Sequence, residues 1–279
     1  LKIFESLSVA SWAGRSAFSL SLRGNIWLPF LIAAACQTVA LLFLVSFHTG
    51  LALPVALPLV RLLGGEAATH YPIFYYALPP MFHKLTIVIT ILVASFTGAV
   101  ATLQFAKAYG FEIRGGVWGR ALRCWPTLAV VSFVATLVVM GISLLGTLVP
   151  KEAVLNDPIV RWGVRFGELG LFIIVQALVA YTTAWVALMG HRLLPAFRDS
   201  ARVTVRTFIP TILVVGIPSL LLFPFSYVFG RMDLIANKLR PEVVPAVLGL
   251  ELLVTVLVVF FMVGAVTRLF IWRVQSSDA

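Results

Sequence analysis

The sequence predicts an all-α polytopic membrane protein: six transmembrane helices in three hairpins, with interfacial elbow helices on the cytoplasmic side. Three observations carry this. Of the 279 residues, 61% are hydrophobic and 11% charged, with a mean hydropathy of +1.03; a soluble domain holds about 45–50% apolar and about 25% charged residues. Six apolar runs, each near the ~20 residues that a hydrocarbon core about 30 Å thick demands, take up most of the chain. The basic residues collect on alternate connections. Disorder, collagen, a disulfide scaffold and a soluble enzyme domain are excluded by composition, and residues 1–279 read as a single transmembrane domain.

The runs are 26–48, 83–107, 126–149, 167–190, 209–230 and 244–271. Charge orients them. Residues 1–25, 107–125, 191–208 and 268–279 carry 13 basic side chains against four acids (Glu5, Glu112, Asp199, Asp278), and the other side carries eight against seven. The positive-inside rule places the first set, with both termini, in the cytoplasm. A net charge of +10 is thus a topology signal and not a nucleic-acid footprint. Trp27, Tyr109, Trp118, Trp125 and Trp272 fall at that boundary, and Tyr71, Tyr75, Tyr76, Trp162 and Tyr227 at the other, where amphipathic rings meet headgroups. Lys2, Glu5, Arg15 and Arg23 interrupt the first 25 residues, which therefore do not read as a cleavable signal peptide. Leu1 in place of Met points to an unusual start codon or a trimmed N-terminus.

Each odd-numbered run follows a basic segment that ends in Arg and then Pro: SLSLRGNIWLP (19–29), GRALRCWPT (119–127) and SARVTVRTFIPT (200–211). Proline suits the first turn of a helix, where its missing N–H costs nothing. Three repeats, 1–108, 109–190 and 191–279, are expected, each an elbow and a hairpin. In the N-terminal segment Ile3, Phe4, Leu7, Ala10, Ala17 and Phe18 share one arc of a helical wheel, the pattern of a helix lying in the interface. The connection 49–82 contains LALPVALPLVRLL (51–63), too short to span and interrupted by Pro54 and Pro58, so an interfacial or re-entrant piece without regular helix is expected. The remainder, GGEAATHYPIFYYALPP, is turn-rich and aromatic, and suits a partner-docking surface.

Within the runs, Gly170, Ala177 and Ala184 recur at a spacing of seven, and Ala180 and Ala187 repeat it. Such a small-residue seam admits a close helix neighbour and marks the fourth span as the central one. Ala94 and Gly98 form a shorter pair in the second. Glu251 is the one acid well inside a run; such carboxylates mark ion paths or buried pairs. Lys84 and Arg231 are its candidate partners. Glu168, at the outer end of the fourth run, reads as solvated. Gln37, Gln104 and Gln176 need partners in lipid and are expected to hydrogen-bond between helices. Pro218 should kink the fifth helix as a bend or hinge, freeing carbonyls near Thr211 and Val214.

Arg198, Arg202 and Arg206, at i, i+4 and i+8, give one cationic helix face, and with Arg23 and Arg123 they are candidates for lipid headgroups. Cys36 and Cys124 lack metal-ligand spacing. His48, His70, His83 and His191 do not share a span interior, so haem ligation is not expected. Hydrolase, zincin and nucleotide-binding motifs are absent. No catalytic residue, metal ligand or cofactor is assigned.

The six spans, elbow segments and Arg–Pro lead-ins, mainly at 117–137 and 194–217, resemble the YciC-like bacterial inner-membrane proteins and the membrane domain fused to glycerophosphodiester phosphodiesterases. The resemblance implies a bacterial cytoplasmic membrane; the phosphodiesterase catalytic domain is missing, so that activity is not implied. The expected function is a non-catalytic membrane subunit, a scaffold or accessory of a larger complex, with membrane lipids and other integral membrane proteins as partners and no nucleic acid. The alternative is a transporter or lipid-handling permease.

Overall fold

The computed structural model describes residues 3–46, 53–113, 115–146, 158–229 and 240–276, which form helices joined by short connections, with no strand among them. Five helical stretches are long and apolar enough to cross a membrane: Gly24–Val45, Ile73–Ala108, Val117–Leu144, Trp162–Met189 and Pro241–Gln275. A sixth is completed if Leu193–Arg206 and Phe208–Leu220, bent by 99° at Thr207, are counted as one. His48, Arg231 and Asp278 lie outside the described residues.

The helices are α1 (Ile3–Leu20), α2 (Gly24–Val45), α3 (Leu53–Gly64), α4 (Ile73–Ile89), α5 (Ser95–Ala108), α6 (Val117–Gly146), α7 (Pro158–Val179), α8 (Thr182–Met189), α9 (Leu193–Arg206), α10 (Phe208–Leu220), α11 (Phe223–Phe229) and α12 (Val244–Gln275). A π-helical turn at Thr90–Ala94 joins α4 to α5. The end that holds Arg23, Lys107, Arg120, Arg192 and Arg268 is called the basic end, and the opposite one the far end.

Three boundaries differ from expectation, all at prolines. The second span begins at Ile73, ten residues before 83, and runs through Pro79 and Pro80. The third begins at Val117 and contains Pro126, so the basic segment before it continues into the span and forms no separate elbow. Residues 53–64 are regular helix despite Pro54 and Pro58. Pro54 sits in the first turn, where no hydrogen bond is lost, and each other ring forfeits one bond, which a helix packed among neighbours tolerates. α3 buries Ala56 and Val60 against α2 and α4 while leaving Val55 and Leu62 exposed.

The sixth span, not the fourth, is central: α12 packs against α1, α2, α4, α5 and α10. Its packing is closest at Gly264, where an added Cβ would fall 2.8 Å from a Phe105 ring carbon and 2.9 Å from Ala17 Cβ. α1 runs antiparallel beside it, with Trp12 under Arg268, Ala17 at Gly264 and Phe18 stacked on Phe261. Ala13 and Ala17 are fully buried and Phe4 and Phe18 face outward, so the arc read from the sequence divides into a packed small face and an exposed large one. Trp27, Phe30, Phe105 and Phe260 complete an aromatic cluster, with Trp27 and Phe260 stacked at 4.0 Å.

The fourth span is broken at Ala180–Tyr181. The orphaned carbonyls at the end of α7 are met by α9: Thr204 Oγ1 donates to the Ala177 carbonyl at 2.8 Å and Ser200 Oγ to that of Leu178 at 2.6 Å. Arg120 donates to the Ala187 and Leu188 carbonyls at the end of α8. Tyr181, fully buried, shares a 2.7 Å hydrogen bond with Thr211, whose hydroxyl also donates to the Thr207 carbonyl. The fifth span is interrupted at Leu221–Leu222, just before Pro224, whose ring cannot follow the Leu220 carbonyl in a helix. Pro218 lies inside α10, three residues before that break.

Candidate functional site

Two adjoining chambers open in the far half of the bundle. One, of about 420 Å³, is lined by Gln37 of α2, Pro79, Pro80, His83 and Thr86 of α4, and Glu251 and Thr255 of α12. The other, of about 590 Å³, is lined by Ser143 of α6, Arg165, Glu168 and Phe172 of α7, Ser219 of α10 and Tyr227 of α11. His83 and Glu251 line both. Every spanning segment thus sends at least one polar side chain into this space.

The local sequence explains the openness. Pro79 and Pro80 lack N–H groups, so the carbonyls of Tyr75 and Tyr76 lose their helical partners beside the chamber. The interruption before Pro224 separates α11 from α10. Arg165 lies 5.4 Å from the Tyr227 ring centre, and Trp162, Phe166, Phe223 and Tyr227 stack in one wall, with Trp162 and Tyr227 2° from parallel. Glu168, read as solvated from the sequence, is half-buried and lines the second chamber one helical turn from Arg165.

Neither His83 nor Glu251 makes a hydrogen bond or ion pair among the described residues. Thr86 Oγ1 is buried without a partner in the same space. Lys84, expected to pair with Glu251, instead donates to the Leu63 carbonyl at the end of α3, at 2.6 Å. An intramembrane carboxylate is costly unless it faces a cavity or a partner, and here it faces the cavity. Imidazole and carboxylate are the side chains that exchange protons most readily near neutral pH.

A third cavity, of about 280 Å³, lies nearer the basic end. Gly98, Thr102, Ser132, Gln176, Ala180, Thr183, Ala184 and Thr267 contribute to its wall. The cavities follow one another along α12. Leu248, Glu251, Leu252 and Thr255 border the first chamber, and Val259, Met262, Val263, Val266 and Thr267 the third. From Leu248 to Thr267 the helix rises about 28 Å, close to a hydrocarbon thickness of about 30 Å. Buried Val258 lies between the two sets.

Other residues singled out from the sequence fall elsewhere. Ala177, Ala184 and Ala187 are buried and Ala180 half-buried, all around the break in the fourth span, whereas Gly170 has open space beyond its Cα. Gln37, Gln176 and Gln104 line three different cavities. Contrary to expectation, none of the three forms a side-chain hydrogen bond among the described residues. Arg198, Arg202 and Arg206 are exposed on α9, and Arg202 pairs with Asp199 at 3.2 Å. Pro218 borders an apolar groove of about 280 Å³ between α1, α10 and α12.

Sequence reasoning missed His83, because it stood at the predicted start of the second span. It also missed Ala196, Ser200 and Thr204, which repeat at i, i+4 and i+8 two residues out of step with the arginines. They form the buried face of α9. The interval was visible in the sequence, but the charged face drew the reading. No metal-binding group of His, Cys, Asp or Glu occurs among the described residues. No family model, curated protein or solved structure matches the chain.

Proposed function

We propose that this chain is a permease that carries a small hydrophilic solute or ion through the chambers beside α12, with His83 and Glu251 exchanging protons during transport. The observation that carries the reading is the convergence of polar groups from every spanning segment on a space shared by one imidazole and one carboxylate. Broken helices that border a cavity at membrane depth are a device of transporters, and the fourth and fifth spans are both broken. This favours the transporter alternative over the scaffold expected from the sequence. Val258 and its neighbours, between the far and near cavities, would form the barrier that opens alternately. Pro218 and Pro224 flank the part of the fifth span best suited to bend.

The basic end is taken as cytoplasmic on the positive-inside rule, with Arg123, Arg198, Arg202 and Arg206 toward anionic headgroups. The YciC-like resemblance supports a bacterial inner membrane. The test is a pH jump on proteoliposomes adsorbed to a solid-supported membrane. A transient proton current is expected from the wild type, with at least a tenfold reduction in Glu251→Gln and His83→Ala. Equal currents in all three would reject the proton role.

A second reading, membrane-complex subunit, has one observation in its favour. α6 exposes Val130, Phe133, Leu137, Val138 and Leu144 along its length, an apolar face suited to another membrane helix as well as to lipid. Extraction in mild detergent followed by native gels tests it; a chain that migrates alone rejects it.

A further inference from the structure

A cleft of about 730 Å³ opens at the basic end, where the starts of α2 and α6 meet the end of α5. Its wall includes Arg23, Gly24, Asn25, Gln104, Lys107 and Trp118. We propose that it binds the phosphate headgroup of an anionic phospholipid. This is independent of the permease reading.

The cleft carries two cations and no acid. Arg23 immediately precedes α2, and Lys107 lies in the last turn of α5. Both are exposed, and neither forms an ion pair or a hydrogen bond among the described residues. α2 starts without a side-chain cap, and no atom lies within 4 Å of the position a Cβ would take on Gly24. Ile26 N–H turns back to the Arg23 carbonyl at 3.1 Å, which leaves the Gly24 and Asn25 N–H groups for an approaching oxyanion, favoured by them and by the helix dipole. Gln104 lines the cleft, and its amide oxygen is buried without a partner. Rotating the amide presents its NH₂ there instead. Asn25 adds a second amide at the rim.

The surroundings distinguish a lipid from a free phosphate. Leu22, next to Arg23, is 91% exposed, and Leu28 and Leu31 continue an exposed apolar strip up α2. Leu122 faces outward on α6 and Trp118 stands at the rim. Acyl chains hanging from a headgroup at Arg23 and Lys107 would lie along this strip, and an inorganic anion would gain nothing from it. Arg123 is not part of the cleft; its Nε–H turns back to the Gly119 carbonyl at 3.4 Å.

The full chain in phosphatidylcholine nanodiscs, titrated with phosphatidylglycerol and separately with sodium phosphate, tests this by native mass spectrometry. Saturable binding of phosphatidylglycerol is expected, undisturbed by millimolar phosphate. Arg23→Gln with Lys107→Gln should weaken it at least tenfold, and Arg15→Gln with Arg192→Gln, which removes two exposed cations outside the cleft, less than twofold. Arg23→Lys should retain most of the binding. If the double variant does not purify folded, Lys107→Gln alone is read, with a loss of threefold or more expected. Unchanged affinity in the cleft variants, equal weakening by the Arg15 and Arg192 variant, or full displacement by inorganic phosphate would overturn the proposal.

Discussion

The two halves of the bundle are built differently along the same helix. At the basic end, α12 meets its neighbours through Gly264 and Ala265, and large rings fill the remaining space. Three hydroxyls there bond to carbonyls of neighbouring helices, Tyr109 to Gly264, Thr204 to Ala177 and Ser200 to Leu178. Toward the far end, α12 presents Glu251 and Thr255 to open space, where His83 and Thr86 are likewise without a side-chain hydrogen bond among the described residues. Dense packing fixes one arrangement; unpaired polar groups around a cavity favour a ligand, water or a moving proton. The lesson is that α12 is packed closely in one half and carries its one acid beside open space in the other.

The sharpest break in that comparison uses two glycines of one helix. Gly264→Val should destabilise by about 3 kcal/mol or more, because overpacking against Phe105 and Ala17 has no room to relax. Thermal unfolding in detergent would read it as a large fall in Tm or as failure to fold. Gly249→Ala, with nothing within 4 Å of the added atom, should stabilise by about 0.5–1 kcal/mol through helix propensity.

Next in size is the support of the broken fourth span. Arg120→Gln removes two charge-assisted bonds to the end of α8 and should cost about 2 kcal/mol. Ser200→Ala removes the side-chain donor to the Leu178 carbonyl and should cost about 1–2 kcal/mol; Thr204→Ala should cost about 1 kcal/mol, since the Ala177 carbonyl keeps the Ala180 N–H at 3.3 Å. Arg198→Gln, on the exposed face of the same helix, should fall within about 0.5 kcal/mol. Tm values that rank α9 by its arginines instead would contradict its assigned faces.

The smallest effect on stability is expected at the far end. Glu251→Gln keeps the shape and removes a charge that has no partner among the described residues, so Tm should hold or rise slightly. A marked fall would mean that Glu251 is held in a structural pair.

Much of the architecture was legible in the sequence. Apolar run length located five spans in rough extent; the sixth expected one corresponds to a helix pair bent by 99°. The second and third spans were misplaced at prolines: Pro79 and Pro80 were read into the connection and Pro126 as a helix start, although the helices continue through them. That error hid the candidate site. A start at residue 83 leaves His83 at a helix end, whereas a start at Ile73 puts it mid-helix, exposed to Glu251's chamber. Glu251 itself was legible because a lone acid in an apolar run stands out. The seam in the fourth span was legible as spacing, but its use was not: it serves the packing around a break, and the central role falls to α12. No periodicity announces a break at Ala180–Tyr181, which is stabilised by hydroxyls about twenty residues later in the chain.

The most direct test of the account is whether the chambers hold water. With Cys36 and Cys124 replaced by Ala, single cysteines at Thr255, facing the chamber, and at Leu253, exposed on the other side of α12, are treated with a membrane-impermeant methanethiosulfonate in proteoliposomes. The account predicts fast labelling at Thr255→Cys, slowed in a second reaction by excess transported solute once one is known, and none at Leu253→Cys. Equal inertness at the two positions would contradict it.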